Sequence, residues 1–131
     1  MKIDHIGIAV ESLEDSLAYY RDVLGLNYKG EEKVEGQGVK VAFLELGESN
    51  VELLEPLHED SPIASHLEKR GEGIHHMAIE VEDDLEGKIA EMQDDGVEFI
   101  GDEPSTGAEG KQIIFVHPKS TNGVLMELCQ E

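Results

Sequence analysis

Four residues of this chain could hold a metal ion together: His5, Glu52, His76 and Glu127. Two imidazole nitrogens and two carboxylate oxygens suit borderline divalent cations such as Co²⁺, Zn²⁺, Ni²⁺ or Mn²⁺. Such a set leaves coordination positions open for substrate or water. Any one of the four alone reads as an ordinary strand residue, since 30 of the 131 residues are Asp or Glu. Strand parity and an internal repeat bring them together.

Side chains alternate along a strand. Ile6, Ile8 and Val10 share one face, which leaves His5, Gly7 and Ala9 on the other; Val51 and Leu53 oppose Glu52 in the same way. Met77, Ile79 and Val81 oppose His76 and Ala78, while Val124, Met126 and Leu128 oppose Glu127. The four polar residues therefore fall on the faces away from the core, one His and one Glu from each half. The halves repeat: Asp4-His5-Ile6-Gly7-Ile8-Ala9-Val10 resembles His75-His76-Met77-Ala78-Ile79-Glu80-Val81, and Glu52-Leu53 corresponds to Glu127-Leu128.

The elements that must position these residues are a strand, a helix and three strands, twice over. Residues 3–10 read as a strand. Ser12, with Asp15 three residues on, opens a helix that Gly25 ends, with Leu13, Leu17, Tyr20 and Leu24 on one face. Strands follow near 26–34, 38–46 and 50–55, and Ser61-Pro62 opens a linking helix over about 61–70. The second half has strands near 74–81, 97–102, 111–117 and 123–129, with a helix near 84–95. The pattern predicts an α+β fold: one domain over 1–131, built from tandem βαβββ modules (about 1–56 and 73–131) whose mixed sheets curl around a concave metal site.

The bulk numbers agree. No apolar stretch nears the roughly 20 residues of a membrane span, and Met1-Lys2 leads into a strand with no secretory signal. The single cysteine, Cys129, fits a reducing, cytoplasmic setting and rules out a thiolate-rich metal site. A net charge of −20 argues against nucleic-acid binding and reads as a solvated surface adapted to salt. Of the other histidines, His75 has the wrong parity and reads as packed beside the site; His58 and His66 read as solvated. His117, before Pro118, is a substrate contact or a cap. Cys129 shares the parity of Glu127 and reads as a small core residue.

The chain resembles the vicinal-oxygen-chelate (glyoxalase/bleomycin resistance) superfamily and, within it, the methylmalonyl-CoA epimerase family. The resemblance runs through Asp4-His5-Ile6-Gly7-Ile8-Ala9-Val10, Gln37-Gly38-Val39, Glu52-Leu53-Leu54-Glu55-Pro56, Asp60-Ser61-Pro62-Ile63-Ala64, Gly73-Ile74-His75-His76 and His117-Pro118-Lys119-Ser120 with Gly123-Val124-Leu125-Met126-Glu127-Leu128. It implies that His5, Glu52, His76 and Glu127 occupy metal-ligand positions. Three departures stand out. Some epimerases have glutamine at the position of Glu52, whereas glyoxalase I has glutamate. The glutamate that some members carry after Gln-Gly-Val is Val41 here. Glu109 stands where histidine is frequent.

The resemblance implies epimerisation of (2R)- and (2S)-methylmalonyl-CoA by 1,1-proton transfer through an enolate, with the metal as Lewis acid. Glu52 and Glu127, from opposite halves, are the expected acid/base pair, and Glu45 is a reserve base. Lys119, Lys111 and Lys40 are the candidate partners for the phosphates of an acyl-CoA substrate, and the family implies a homodimer. Glyoxalase I (lactoylglutathione lyase), an extradiol dioxygenase, and a non-catalytic small-molecule-binding member are the alternatives.

Overall fold

The computed structural model describes residues 1–131. They fall into two compact units, His5–His75 and Met1–Asp4 with His76–Glu131. The first holds β1 (Lys2–Ala9, from His5 onward), α1 (Leu13–Leu17), β2 (Asn27–Val34), β3 (Val39–Leu46), β4 (Ser49–Pro56) and α2 (Pro62–Arg70). The second is built on β5 (Gly73–Glu80, from His76 onward), α3 (Leu85–Asp94), β6 (Phe99–Thr106), β7 (Gln112–Val116) and β8 (Met126–Gln130). Strand order is β2-β3-β4-β1 in the first and β5-β8-β7-β6 in the second. Within each unit the β1/β4 or β5/β8 pair is parallel and the others antiparallel. This is the α+β, twice βαβββ architecture that the alternation predicts.

Each sheet packs its helix on one face. In the first unit Val10, Leu13, Leu17, Ala42, Leu44, Val51 and Leu53 form the core, with Ile8 and Tyr20 against it. The second packs Val81, Leu85, Ile89, Ile114, Val116 and Leu128, flanked by Ile79, Met92 and Met126. Full burial of a leucine such as Leu44 or Leu53 is worth about 1.5–3 kcal/mol. That face assignment leaves the odd-parity residues of β1 and the even-parity residues of β5 for other work.

The helix starts follow local chemistry. Ser12 caps α1 by accepting from Asp15 N, and Ser61 caps α2 by accepting from Ile63 N, with Pro62 in the first turn. Asp84 caps α3 by accepting from Gly87 N at 3.0 Å, and its carboxylate lies so close that a Cβ on Gly87 would meet it at 2.1 Å. The starts of α1 and α3 are also tied to their sheets in the same way. Leu13 N donates to Glu55 Oε1 (3.0 Å), and Leu85 N to Gln130 Oε1 (2.9 Å). Glu55 and Gln130 each lie three residues past a glutamate of the expected metal set.

Two expectations give way. Leu24 is half exposed because α1 continues as a π-helical turn over Ala18–Val23, where Leu24 N donates five residues back to Tyr19 O. The wider turn rotates Leu24 out of the phase an α-helix would give it. Val124 is exposed as well, for β8 begins only at Met126. No helix is long and apolar enough to cross a membrane.

Candidate metal centre

The site residues come from parallel strand pairs with one shared register. In the first unit Gly7 lies opposite Glu52, so the carboxylate stands two residues beyond the level of His5. In the second unit Ala78 lies opposite Glu127, two residues beyond His76. Gly7 and Ala78 are the small residues that leave the space above them to their neighbours.

His5 Nδ1 is 3.1 Å from Glu52 Oε2, and His76 Nε2 is 3.7 Å from Glu127 Oε1. All four side chains are about 95% buried. Two donors that each sit about 2.1 Å from one ion stand about 3.0–3.4 Å apart in octahedral or tetrahedral geometry. The His5–Glu52 spacing falls in that range, and the His76–Glu127 spacing is slightly wider. Buried carboxylates need a cation or donors to offset desolvation, and each pair offers one imidazole nitrogen and one carboxylate oxygen of the kinds that bind borderline divalent ions. The donor chemistry of each pair therefore fits the implied group.

Each pair has apolar neighbours in its own unit. Val41 and Phe43 lie opposite Leu54 and Glu52 and are buried beside them. Phe115, directly opposite Glu127, meets the His76 ring edge to face at 5.6 Å between centroids. Cys129 packs with Ala78 and Ile113 and donates to Ile79 O. Burial, reinforced by the charges of Asp4 and Glu127, pushes its thiol up to about 12, against the opposing effect of Lys111. It is a small core residue, as expected, although it shares the parity of Glu127.

The lysines divide sharply. Lys119 is exposed, 3.9 Å from Glu98, and Lys40 pairs with Glu31 at 3.2 Å. Lys111 is shielded instead: its side chain is 14% exposed and its Nζ lies 2.8 Å from Asp4 Oδ1, itself buried, and 3.9 Å from Glu109. Burial opposes its charge, but the hydrogen bond and charge of Asp4, helped by Glu109, raise its pKa on balance. Sequence reading missed this ion pair because its members are 107 residues apart. The one signal was the shared parity of Lys111, Ile113 and Phe115.

The remaining polar residues serve the scaffold. His75 stacks edge to face on His66 at 5.0 Å, so His66 is not simply solvated. Burial, with the charge of His66 second, pushes His75 down to about 4. His117 accepts from Lys119 N at 3.0 Å and caps the turn Pro118–Ser120, while Ser120 Oγ accepts from Glu98 N. His58 is exposed beside Gly38. Glu45 keeps the expected parity, level with His5 through their common neighbour Asn50, but is exposed.

Residues 4–115 match a family model described as the Glyoxalase/Bleomycin resistance protein/Dioxygenase superfamily. A hypothetical protein of Bacillus halodurans is 55% identical, with a TM-score of 0.96 over 99% of this chain and 94% of that one. The ethylmalonyl-CoA/methylmalonyl-CoA epimerase of Cereibacter sphaeroides is 43% identical over 98% of this chain and 97% of its own length. A Streptomyces coelicolor methylmalonyl-CoA epimerase in complex with 2-nitronate-propionyl-CoA is 40% identical, with a TM-score of 0.94 over 100% and 94% of the two chains.

Proposed function

This chain belongs to the glyoxalase/bleomycin resistance protein/dioxygenase superfamily, and within it we propose an epimerase that interconverts (2R)- and (2S)-methylmalonyl-CoA. Near-full-length likeness to epimerases, one of them holding a substrate-like thioester, carries the reading. The same likeness weighs against lactoylglutathione lyase and against a non-catalytic binding protein.

We assign His5, Glu52, His76 and Glu127 as the ligands of one divalent cation and propose Co²⁺ among the borderline ions, Zn²⁺, Ni²⁺ and Mn²⁺ included, that a two-nitrogen, two-oxygen set accepts. Bound there, the ion would act as a Lewis acid on the thioester carbonyl of the substrate. The chain's own groups do the rest. The C2 proton of a malonyl thioester is acidic because two carbonyl groups flank it, so a carboxylate at the right distance suffices as base.

Inversion needs one group on each face of C2, and Glu52 and Glu127, one per unit, are the pair assigned to it. Val41 offers no carboxylate, and exposed Glu45 is a poorer candidate than either. The apolar walls of Val41, Phe43 and Phe115 keep water from the carbanion and strengthen each charge interaction near it.

The proposal extends to a cytoplasmic homodimer. The lone thiol of Cys129 fits a reducing compartment, and β2 and β6 close their strand orders as edges for pairing. The deciding experiment follows deuterium wash-in at C2 of each methylmalonyl-CoA epimer, with metals added singly to chelator-treated protein. Exchange into both epimers supports the reading; turnover of methylglyoxal and glutathione instead would overturn it.

A further inference from the structure

Aromatic rings are scarce in this chain: three phenylalanines, three tyrosines and no tryptophan in 131 residues. Two of the three phenylalanines take equivalent places. Phe43 stands directly opposite Glu52 in the first unit, and Phe115 directly opposite Glu127 in the second. In the second unit β8, which carries Glu127, lies between β5 with His76 and β7 with Phe115. The two rings still meet, at 5.6 Å between centroids and 89° between planes. They therefore lean together across the strand that bears the carboxylate. Phe115 also packs on Ala78, Ile113 and Cys129 but stays partly exposed, whereas Phe43 is 6% exposed. Filling the core is not its whole use; the other contact is the imidazole.

The nitrogen that each histidine offers makes this contact useful. His5 meets Glu52 through Nδ1, near the backbone, at 3.1 Å, and His76 meets Glu127 through Nε2, at the far end of the ring, at 3.7 Å. A swing of the side chain about its Cα–Cβ bond moves Nε2 further than Nδ1, so His76 has the greater need of outside support. An edge-to-face contact restrains both the position and the plane of a ring. Groups that orient a ligating histidine raise metal affinity, because the ring is ordered before the ion arrives. Resting on the ligand set assigned with the epimerase reading, we propose that Phe115 is a positioning residue that holds the His76 imidazole with Nε2 toward Glu127 and so tightens binding of the divalent ion.

The test reads the metal and not turnover alone. Affinity for Co²⁺ is measured by competition with a coloured chelator on folded, metal-free wild type, Phe115→Leu and Phe115→Tyr, along with the visible d–d absorption of the bound ion. Leucine keeps apolar bulk without a ring, and tyrosine keeps the ring. Phe115→Leu is expected to weaken Co²⁺ about 10-fold, the worth of one edge-to-face contact, and to alter the d–d band. Phe115→Tyr should bind as wild type does. A role in packing alone would lower the melting temperature and leave the affinity of the folded protein unchanged.

Leucine binding equal to wild type, or tyrosine as weak as leucine, overturns the positioning role. Should Phe115→Leu fail to fold, proton NMR of metal-free wild type decides. A ring proton of His76 or Phe115 shifted upfield before Co²⁺ is added supports the role, and a shift that appears only with the ion overturns it. Wild type that takes up no Co²⁺ overturns the ligand set and the role together. Metal-loaded wild type that exchanges no C2 proton refutes the epimerase reading, whereas normal exchange with unweakened Co²⁺ in Phe115→Leu refutes only the role of the ring.

Discussion

Glu127 Oε1 stands 3.7 Å from His76 Nε2 across two parallel strands, with the glutamate set two residues ahead of the histidine. His5 and Glu52 repeat that register in the other unit at 3.1 Å. A small residue, Gly7 or Ala78, stands directly opposite each glutamate. The repeated register, rather than the residue types alone, sets a histidine beside a buried glutamate in each unit.

Replacing Glu127 with Gln removes a base while keeping the size of the side chain. Deuterium exchange at C2 is expected to fall by about 10²–10⁴-fold. Metal analysis of the same sample separates the two roles assigned to this residue: lost exchange with metal retained identifies the base, and lost metal identifies the ligand. Exchange near the wild-type rate would strip Glu127 of any acid/base part.

His5→Ala leaves Glu52 buried without its nitrogen neighbour, and the donor set loses one of four. Protein purified without an affinity tag should retain metal in wild type and lose most of it in the variant. Chelation should lower the wild-type melting temperature, because an ion present at about 1,000 times its dissociation constant contributes about 4 kcal/mol to stability. The variant should melt at the same temperature with and without chelator.

The helix starts give a test of the scaffold alone. Gly87→Ala drives a Cβ into the Asp84 carboxylate and should cost about 1–2 kcal/mol through the lost cap. Leu53→Ala, in the fully buried core beneath Glu52, should cost about 2–5 kcal/mol. Denaturant midpoints measure both, and an unchanged midpoint for Gly87→Ala would show that the cap contributes nothing.

The stacked pair His66 and His75 should make stability pH-dependent. In the folded chain burial holds His75 down to about 4, against about 6.5 when unfolded. Between those values the unfolded chain binds the extra proton, so stability is complete above pH 6.5 and declines as pH falls toward 4. His75→Asn should flatten that slope in urea titrations across the window; an unaltered slope would place the dependence elsewhere.

The strand faces of His5, Glu52, His76 and Glu127 were legible because alternation is local: once Ile8 and Leu53 face the helix, Gly7 and Glu52 have only the other side. The caps at Ser12 and Ser61 were legible for the same reason. Leu24 was not, since nothing in Ala18–Val23 announces a π-helical turn and a single widened turn shifts every later residue. The Lys111–Asp4 contact was hidden for another reason. Its existence depends on which sheet the first four residues join, and pairing between distant segments leaves no periodic trace.

That attachment has a practical consequence. Met1 to Asp4 pack with the second unit, where the Met1 amino group lies 3.7 Å from Glu82 and Asp4 holds Lys111. A purification handle fused ahead of Met1 would displace the amino group and load the strand that fixes the ammonium. Exposed Glu131 is the gentler point of fusion, and preparations carrying the handle at opposite ends should not be compared as if they were one enzyme.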